Sequence, residues 1–258
     1  PTVVTVHVAT DSKKFLWDRF FFLYFRIFKR HLRRVDAVVS VSAFVERQVR
    51  KVANLPPGKS NLIYAGVDRG LFRPAQKTPG DRLNVLFVGQ VMPEKGIDAL
   101  IEAVVSANRR RPVHLKIVGE GHLKRALQSK TRHFPFVEWA GFVKEQQRIA
   151  AYYQEADLTF LPTRWDEAFS LVPVESMACG TPVVATAKGG TPEIVVDRQT
   201  GYLVPECGRK ELEEVLLAAD KKELAALGKN ARELVLARHT AEMWGAAHER
   251  LYASLPGR

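Results

Sequence analysis

Between residues 83 and 204, short apolar runs rich in Val, Ile and Leu alternate with longer amphipathic stretches, and this rhythm constrains the fold more than any other feature. Residues 85–88, 114–118, 137–139 and 158–161 read as strands, and residues 97–108, 123–129 and 146–155 as the helices between them. Strands that are apolar along their whole length must be covered on both faces. Helices alternating with them supply that cover, so a parallel α/β sheet is expected. In such a sheet ligands bind outside the carboxyl ends of the strands, and the loops there are where chemistry is sought.

One of those loops opens the stretch T-R-W-D-E-A-F-S-L-V-P-V-E-S-M-A-C-G-T-P-V-V-A, residues 163–185. Ser170 stands where a helix N-cap would, residues 171–179 read as a short helix, and Gly180 closes it. Pro173 is tolerated because the first turn's N–H groups have no intrahelical partner. The amides of Ser170, Leu171 and Val172 and the positive end of the helix dipole make an anion site. Glu167 lies just before that end and Glu175 one turn inside it. A carboxylate beside a phosphate is repelled, so each Glu is expected to accept from a hydroxyl. Phosphate and hydroxyls together suggest a sugar nucleotide.

The E-x7-E spacing, with the small-residue helix end and T-P-V-V-A after it, resembles the donor-site signature of the retaining glycosyltransferases of family 4. Three further segments are similar to that family. T-V-H-V-A-T-D, with His7, resembles the floor of the interdomain cleft. N-L-I-Y-A-G-V-D, residues 61–68, resembles the end of the N-terminal domain, with Tyr64 and Ala65 in place of the usual Pro and Asn. Gly89-Gln90 followed by Lys95-Gly96 resembles the phosphate-clamping loop, with Gln90 where the family has Arg. A neutral amide cannot cancel phosphate charge, so weaker donor binding is expected.

The resemblance implies an α/β fold of GT-B type, with two Rossmann-like domains facing a cleft and the N-terminal one incomplete. Residues 1–75 would be the partial acceptor-side domain, 76–238 the nucleotide-sugar domain, and 239–258 a helix packing back toward the first. Trp244 and Tyr252 on that helix are expected in the core. The implied reaction moves a sugar from a UDP- or GDP-sugar to an acceptor hydroxyl with retention, with no metal and no cofactor beyond this co-substrate. Gly89, Gln90, Lys95 and the amides of Ser170, Leu171 and Val172 would hold the diphosphate, Glu175 the ribose, and Glu167 and His7 the moving sugar. Residues 188–193, K-G-G-T-P-E, form a second Gly loop that either approaches the donor or is a plain turn.

Charge is unevenly placed. The chain carries +11, and residues 11–51 hold eleven Lys and Arg against four Asp and Glu. Within them, residues 13–34 read as a basic helix crowded with aromatics, either an interfacial helix on an anionic membrane or a core helix with a wet basic face. A glycan or lipid-linked acceptor, as in cell-envelope glycan synthesis, is the expected partner, and a soluble acceptor such as a glucan or sugar phosphate is the rival. Nucleic acid is not expected, because the aromatics form a helix stripe and not spaced stacking platforms on strands. Two cysteines without metal-like spacing and no apolar run of membrane-spanning length point to a cytoplasmic protein, with a peripheral place on the inner membrane face. Pro1 sits inside a strand-like run, so the chain is expected to lack its natural beginning and could be an inactive fragment.

Overall fold

The computed structural model describes residues 1–7, 29–56, 58–77 and 80–255. Of the basic aromatic segment, residues 13–28 lie outside these, so the interfacial-helix expectation is not addressed there. Its end is held in place: Leu32 is buried, Arg33 Nε donates to the Ala53 carbonyl at 3.1 Å, and Lys59 Nζ to that of Arg33 at 2.6 Å. Among the described residues, no helix is long and apolar enough to cross a membrane.

The first unit is a parallel sheet of β1 (Val3–Val6), β2 (Ala37–Ser40) and β3 (Ser60–Leu62), in that order. All four residues of β2 are buried, and successive side chains point to opposite faces. Val38 joins Val6, Val45 and Val49 on one side, while Ala37 and Val39 join Ile63 and Leu251 on the other. The helix α1 (Ala43–Ala53) covers the first side. Ser42 caps it, its Oγ accepting from Val45 N at 3.1 Å, and Asn54 ends it in the left-handed conformation.

The second unit is a six-stranded parallel sheet in the order β6-β5-β4-β7-β8-β9. Its strands are β4 (Leu83–Val88), β5 (Val113–Val118), β6 (Val137–Gly141), β7 (Leu158–Leu161), β8 (Val183–Thr186) and β9 (Gly201–Val204). The helices between the strands are α2 (Ile97–Ala107), α3 (Lys124–Thr131), α4 (Gln146–Glu155) and α5 (Leu171–Ala178), and α6 (Arg209–Ala218) and α7 (Lys221–Arg238) follow β9. Two cores lie on the two faces. Val85 and Phe87 pack with α2 and α6 residues, and Leu86 with residues of α4, α5 and α7. Each such buried side chain contributes about 1.5–3 kcal/mol, which is why the central strands β7 and β8 are buried along their whole length. Leaving β4 the chain winds outward through β5 and β6, then returns to β7 on β4's other side and winds outward again. The order therefore reverses between β4 and β7, which pair in register from Val85 with Leu158.

Phe72, where the chain passes between the two units, is buried and packs edge-on against Tyr153 at 6.3 Å. One expectation needs correction. The last helix, α8 (Ala241–Ser254), does return to the first unit, but by the row Ala247, Leu251, Leu255. Trp244 and Tyr252 are 46% and 53% exposed, not core. With His248 they form the neighbouring i, i+4, i+8 row, one step round the helix from the buried one, where the His248 ring meets Trp244 at a tilt and Tyr252 edge-on.

Candidate active site

The reversal between β4 and β7 brings two loops together at the sheet's carboxyl edge. After β4, residues 89–92 lead into a 3-10 turn, Pro93–Lys95. After β7, residues 162–170 lead into α5. Arg164 staples the second loop to the first. Its N donates to Glu94 O and its guanidinium to Pro93 O, both at 2.7 Å, and it pairs with Asp98 at 2.9 Å. Gly96 makes the approach possible: it adopts φ +64°, and a Cβ there would overlap the Pro162 carbonyl oxygen.

This stapling places Lys95 Nζ 2.5 Å from Glu167 Oε1, with only 16% and 11% of the two side chains exposed. Trp165 Nε1 donates to the same oxygen at 2.8 Å, and its ring lies under the ammonium at 4.9 Å. Among the described residues none donates to Oε2, which can accept from a ligand hydroxyl. The pairing also removes the repulsion a bare carboxylate would offer a phosphate. The ammonium has three protons, so one bond to Glu167 leaves two for an anion. The peptide of Glu167 is held too. Gly190 N donates to its carbonyl at 2.7 Å, and Gly189 N to Asp166 Oδ1 at 3.1 Å. Gly189 sits at φ +59°, and a Cβ there would overlap Glu167's backbone.

Ser170 does occupy the N-cap position of α5, but its side chain makes no capping hydrogen bond. The consequence favours an anion, because Ser170 does not satisfy the first-turn amides it precedes. Leu171 is 44% exposed and Val172 half-buried, so packing does not seal that end. Ser176 keeps α5 close to the sheet, its Oγ donating to Thr159 Oγ1 at 2.7 Å.

Glu175 is in a different environment. Tyr153 OH donates to its Oε2 at 2.9 Å, and burial pushes its carboxyl up to about 7 despite that bond. Tyr153 itself is fully buried and raised well above the ordinary tyrosine range by burial and by Glu175. Gly89 is half-buried, its N bound to Val118 O at 3.0 Å, and Gln90 is exposed at the mouth. His7 is exposed and follows β1, whose Val6 pairs with Ser40 at the end of β2, so it shares the edge from which Ser42 and α1 face the second unit. No contact among the described residues joins His7 to Glu167. The fold thus brings Lys95, Glu167 and the α5 N-terminus together, and does not bring His7 into contact with them among the described residues. Trp165, Tyr153 and Glu193 escaped the sequence reading as site residues. Only W-D-E and K-G-G-T-P-E hinted at Trp165 and Glu193. Among the described residues no cluster of three metal-ligand side chains occurs.

Residues 68–234 match the family model described as Glycosyl transferases group 1, and residues 1–71 that of Glycosyltransferase Family 4. The chain belongs to the group 1 glycosyl transferases. Its relatives in that family include the uncharacterized glycosyltransferase MJ1178 of Methanocaldococcus jannaschii, 30% identical over 240 residues, 90% of this chain and 63% of the relative. A D-inositol 3-phosphate glycosyltransferase of Mycobacteroides abscessus is 35% identical over 61% of this chain and 38% of its own length. A GDP-mannose-dependent alpha-(1-6)-phosphatidylinositol monomannoside mannosyltransferase of Mycolicibacterium smegmatis is 30% identical over 88% and 65%. The chain therefore spans between 38% and 65% of these three relatives. Sucrose-phosphate synthase from Thermosynechococcus elongatus superposes with a TM-score of 0.83 and 28% identity over 97% of this chain and 67% of that one. HepE of Anabaena, solved with UDP and glucose, superposes with 0.81 and 22% over 99% and 72%. This group 1 glycosyl transferase thus has the GT-B fold.

Proposed function

We propose that this chain carries the donor site of a retaining glycosyltransferase, which moves a sugar from a nucleotide-diphosphate sugar to an acceptor hydroxyl. The observation that carries the reading is the Lys95–Glu167 pair beside an uncapped helix start at the sheet's switch point. Lys95 and the amides at Ser170 to Val172 would stabilise the leaving diphosphate, whose charge grows in the transition state. Glu167 Oε2 would take a hydroxyl of the moving sugar and Glu175 Oε1 the ribose. Gly89 and Gln90 would lie along the diphosphate, and His7 would line the sugar from the first unit. No metal is required, because the Lys95 protons not used by Glu167 and the free amides of the α5 start supply hydrogen bonds, and the helix dipole supplies the positive potential. The leaving phosphate can take the acceptor's proton.

The nucleoside is a uridine or guanosine diphosphate, in keeping with the UDP in HepE and the GDP-mannose named for the mycobacterial relative. The favoured acceptor is lipid-linked, as that relative's name also suggests, which would put the protein at the inner membrane face. A second reading, a soluble phosphorylated polyol acceptor, draws on the inositol phosphate relative. Thermal shift against UDP, GDP and their sugars is the test: a bound nucleotide raises Tm, and Lys95→Ala abolishes the rise. A wild-type chain that responds to neither nucleotide overturns the reading. Activity that depends on added lipid separates the two acceptors.

A further inference from the structure

Glu193 belongs to the second unit, at the end of the 3-10 turn Thr191–Glu193 that follows Gly189 and Gly190. Its carboxylate reaches into the first unit. Oε2 accepts from Ala43 N at 2.7 Å and from Tyr64 OH at 2.9 Å, and Oε1 accepts from Phe44 N at 2.7 Å. Ala43 and Phe44 are the first two residues of α1, whose amides have no acceptor inside the helix. Ser42 serves only Val45. The helix is therefore capped in two parts, by its own serine and by an acid some 150 residues away. A carboxylate at a helix N-terminus also meets the positive end of the dipole.

The other end of this connection runs into the site. Gly190 N holds the Glu167 carbonyl, and the Gly190 Cα faces Ser42 so closely that a Cβ would lie 3.1 Å from its Oγ. The Tyr64 ring packs against Phe169 at 6.1 Å, the residue before Ser170, and edge-on against His239 at 5.4 Å. His239 stands where the chain crosses back to the first unit, its carbonyl accepting from Val67 N at 3.0 Å. The same few residues thus touch the first unit, the Glu167 loop and the α5 start.

We propose that Glu193 is a positioning residue, a polar latch that holds the two units closed and couples that closure to the placement of Glu167. Among the described residues its partners are amides and a hydroxyl, which water can replace, so the latch can open and re-form without leaving a buried charge. The latch stands on the contacts alone. Its coupling to the ligand rests on the donor-site reading above.

The test uses the full chain, with hydrogen exchange at the amides of Ala43 and Phe44 and small-angle scattering as readouts. In Glu193→Ala, exchange at these amides should rise at least tenfold and the radius of gyration should grow. Glu193→Gln, which keeps size and one acceptor oxygen, should lie between, and Tyr64→Phe should give the smallest rise. Ser42→Ala, which frays the same helix locally, should speed Val45 alone and leave the scattering unchanged. UDP should slow exchange at Ala43 and Phe44 in the wild type and not in Glu193→Ala. Wild-type exchange and scattering in both Glu193 variants would overturn the latch, and UDP binding with no effect on these amides would overturn the coupling. If UDP does not bind the wild type at all, the donor-site reading and the coupling fail together, while the exchange comparison still decides the latch.

Discussion

The loop before α5 and the body of α5 carry the two glutamates of the motif, eight residues apart, and the fold treats them in opposite ways. Glu167 in the loop is given a cation, an indole N–H and a fixed peptide. Glu175 in the helix is given a tyrosine hydroxyl and little water, and is pushed up to about 7. Two chemically similar residues therefore differ in the cost of carrying charge. The loop acid suits a role as a charged, oriented acceptor. The helix acid suits a neutral or switchable hydrogen-bonding role near neutrality, where it can donate as well as accept.

The largest effect should come from breaking the charged half. Lys95→Met leaves Glu167 almost buried and unpaired, a change expected to destabilise the chain by about 3 kcal/mol and to lower sugar transfer by roughly a hundredfold or more. Urea denaturation and initial rates measure the two. The double variant Lys95→Met/Glu167→Gln should be more stable than Lys95→Met alone, because the orphaned charge is gone. Additive losses in that cycle would mean the pair is not coupled.

The neutral half should show itself in pH dependence. Glu175 has a raised pKa, so between about 4.5 and 7 the folded chain binds more protons than the unfolded one at this position. Its contribution is fully present below 4.5 and is lost as pH rises through 7. Glu175→Gln should match the wild type near pH 4 and be more stable by roughly 2–3 kcal/mol at pH 8. Melting curves across that range decide it, and a constant offset would place Glu175 in water.

A smaller change sharpens the comparison at the mouth. Because Lys95 already neutralises Glu167, the pair offers a diphosphate no net charge, and exposed Gln90 adds none. Gln90→Arg should tighten UDP binding by about 1.5 kcal/mol, roughly tenfold, as titration calorimetry would read. The smallest effect belongs to Tyr153→Phe. Losing its hydroxyl should cost about 1 kcal/mol and raise the Glu175 pKa further, since that bond favours the charged form.

Much of this was legible in the amino-acid order. The strands and helices of the second unit follow from runs that the structure extends or trims by no more than two residues, such as β4 beginning at Leu83 and α2 ending at Ala107. The position of α5 and its Gly180 stop were readable because each depends on neighbours within four residues. The aromatic row of α8 was misread for the opposite reason. Trp244 and Leu251 look equally apolar in sequence, and only the direction from which the first sheet approaches decides which row is covered.

What the sequence alone determined was local: the alternation that demands a doubly covered parallel sheet, and two acids spaced around a helix start. What tertiary structure decided was which groups those acids would meet. Lys95 and Glu167 are 72 residues apart, and Glu193 and Ala43 are 150 apart. They meet because β4 lies beside β7 and because the chain crosses back at His239. Hydrogen bonds and ion pairs act over a few ångströms, so strand order, not sequence distance, sets which side chains become partners and which acid keeps its charge.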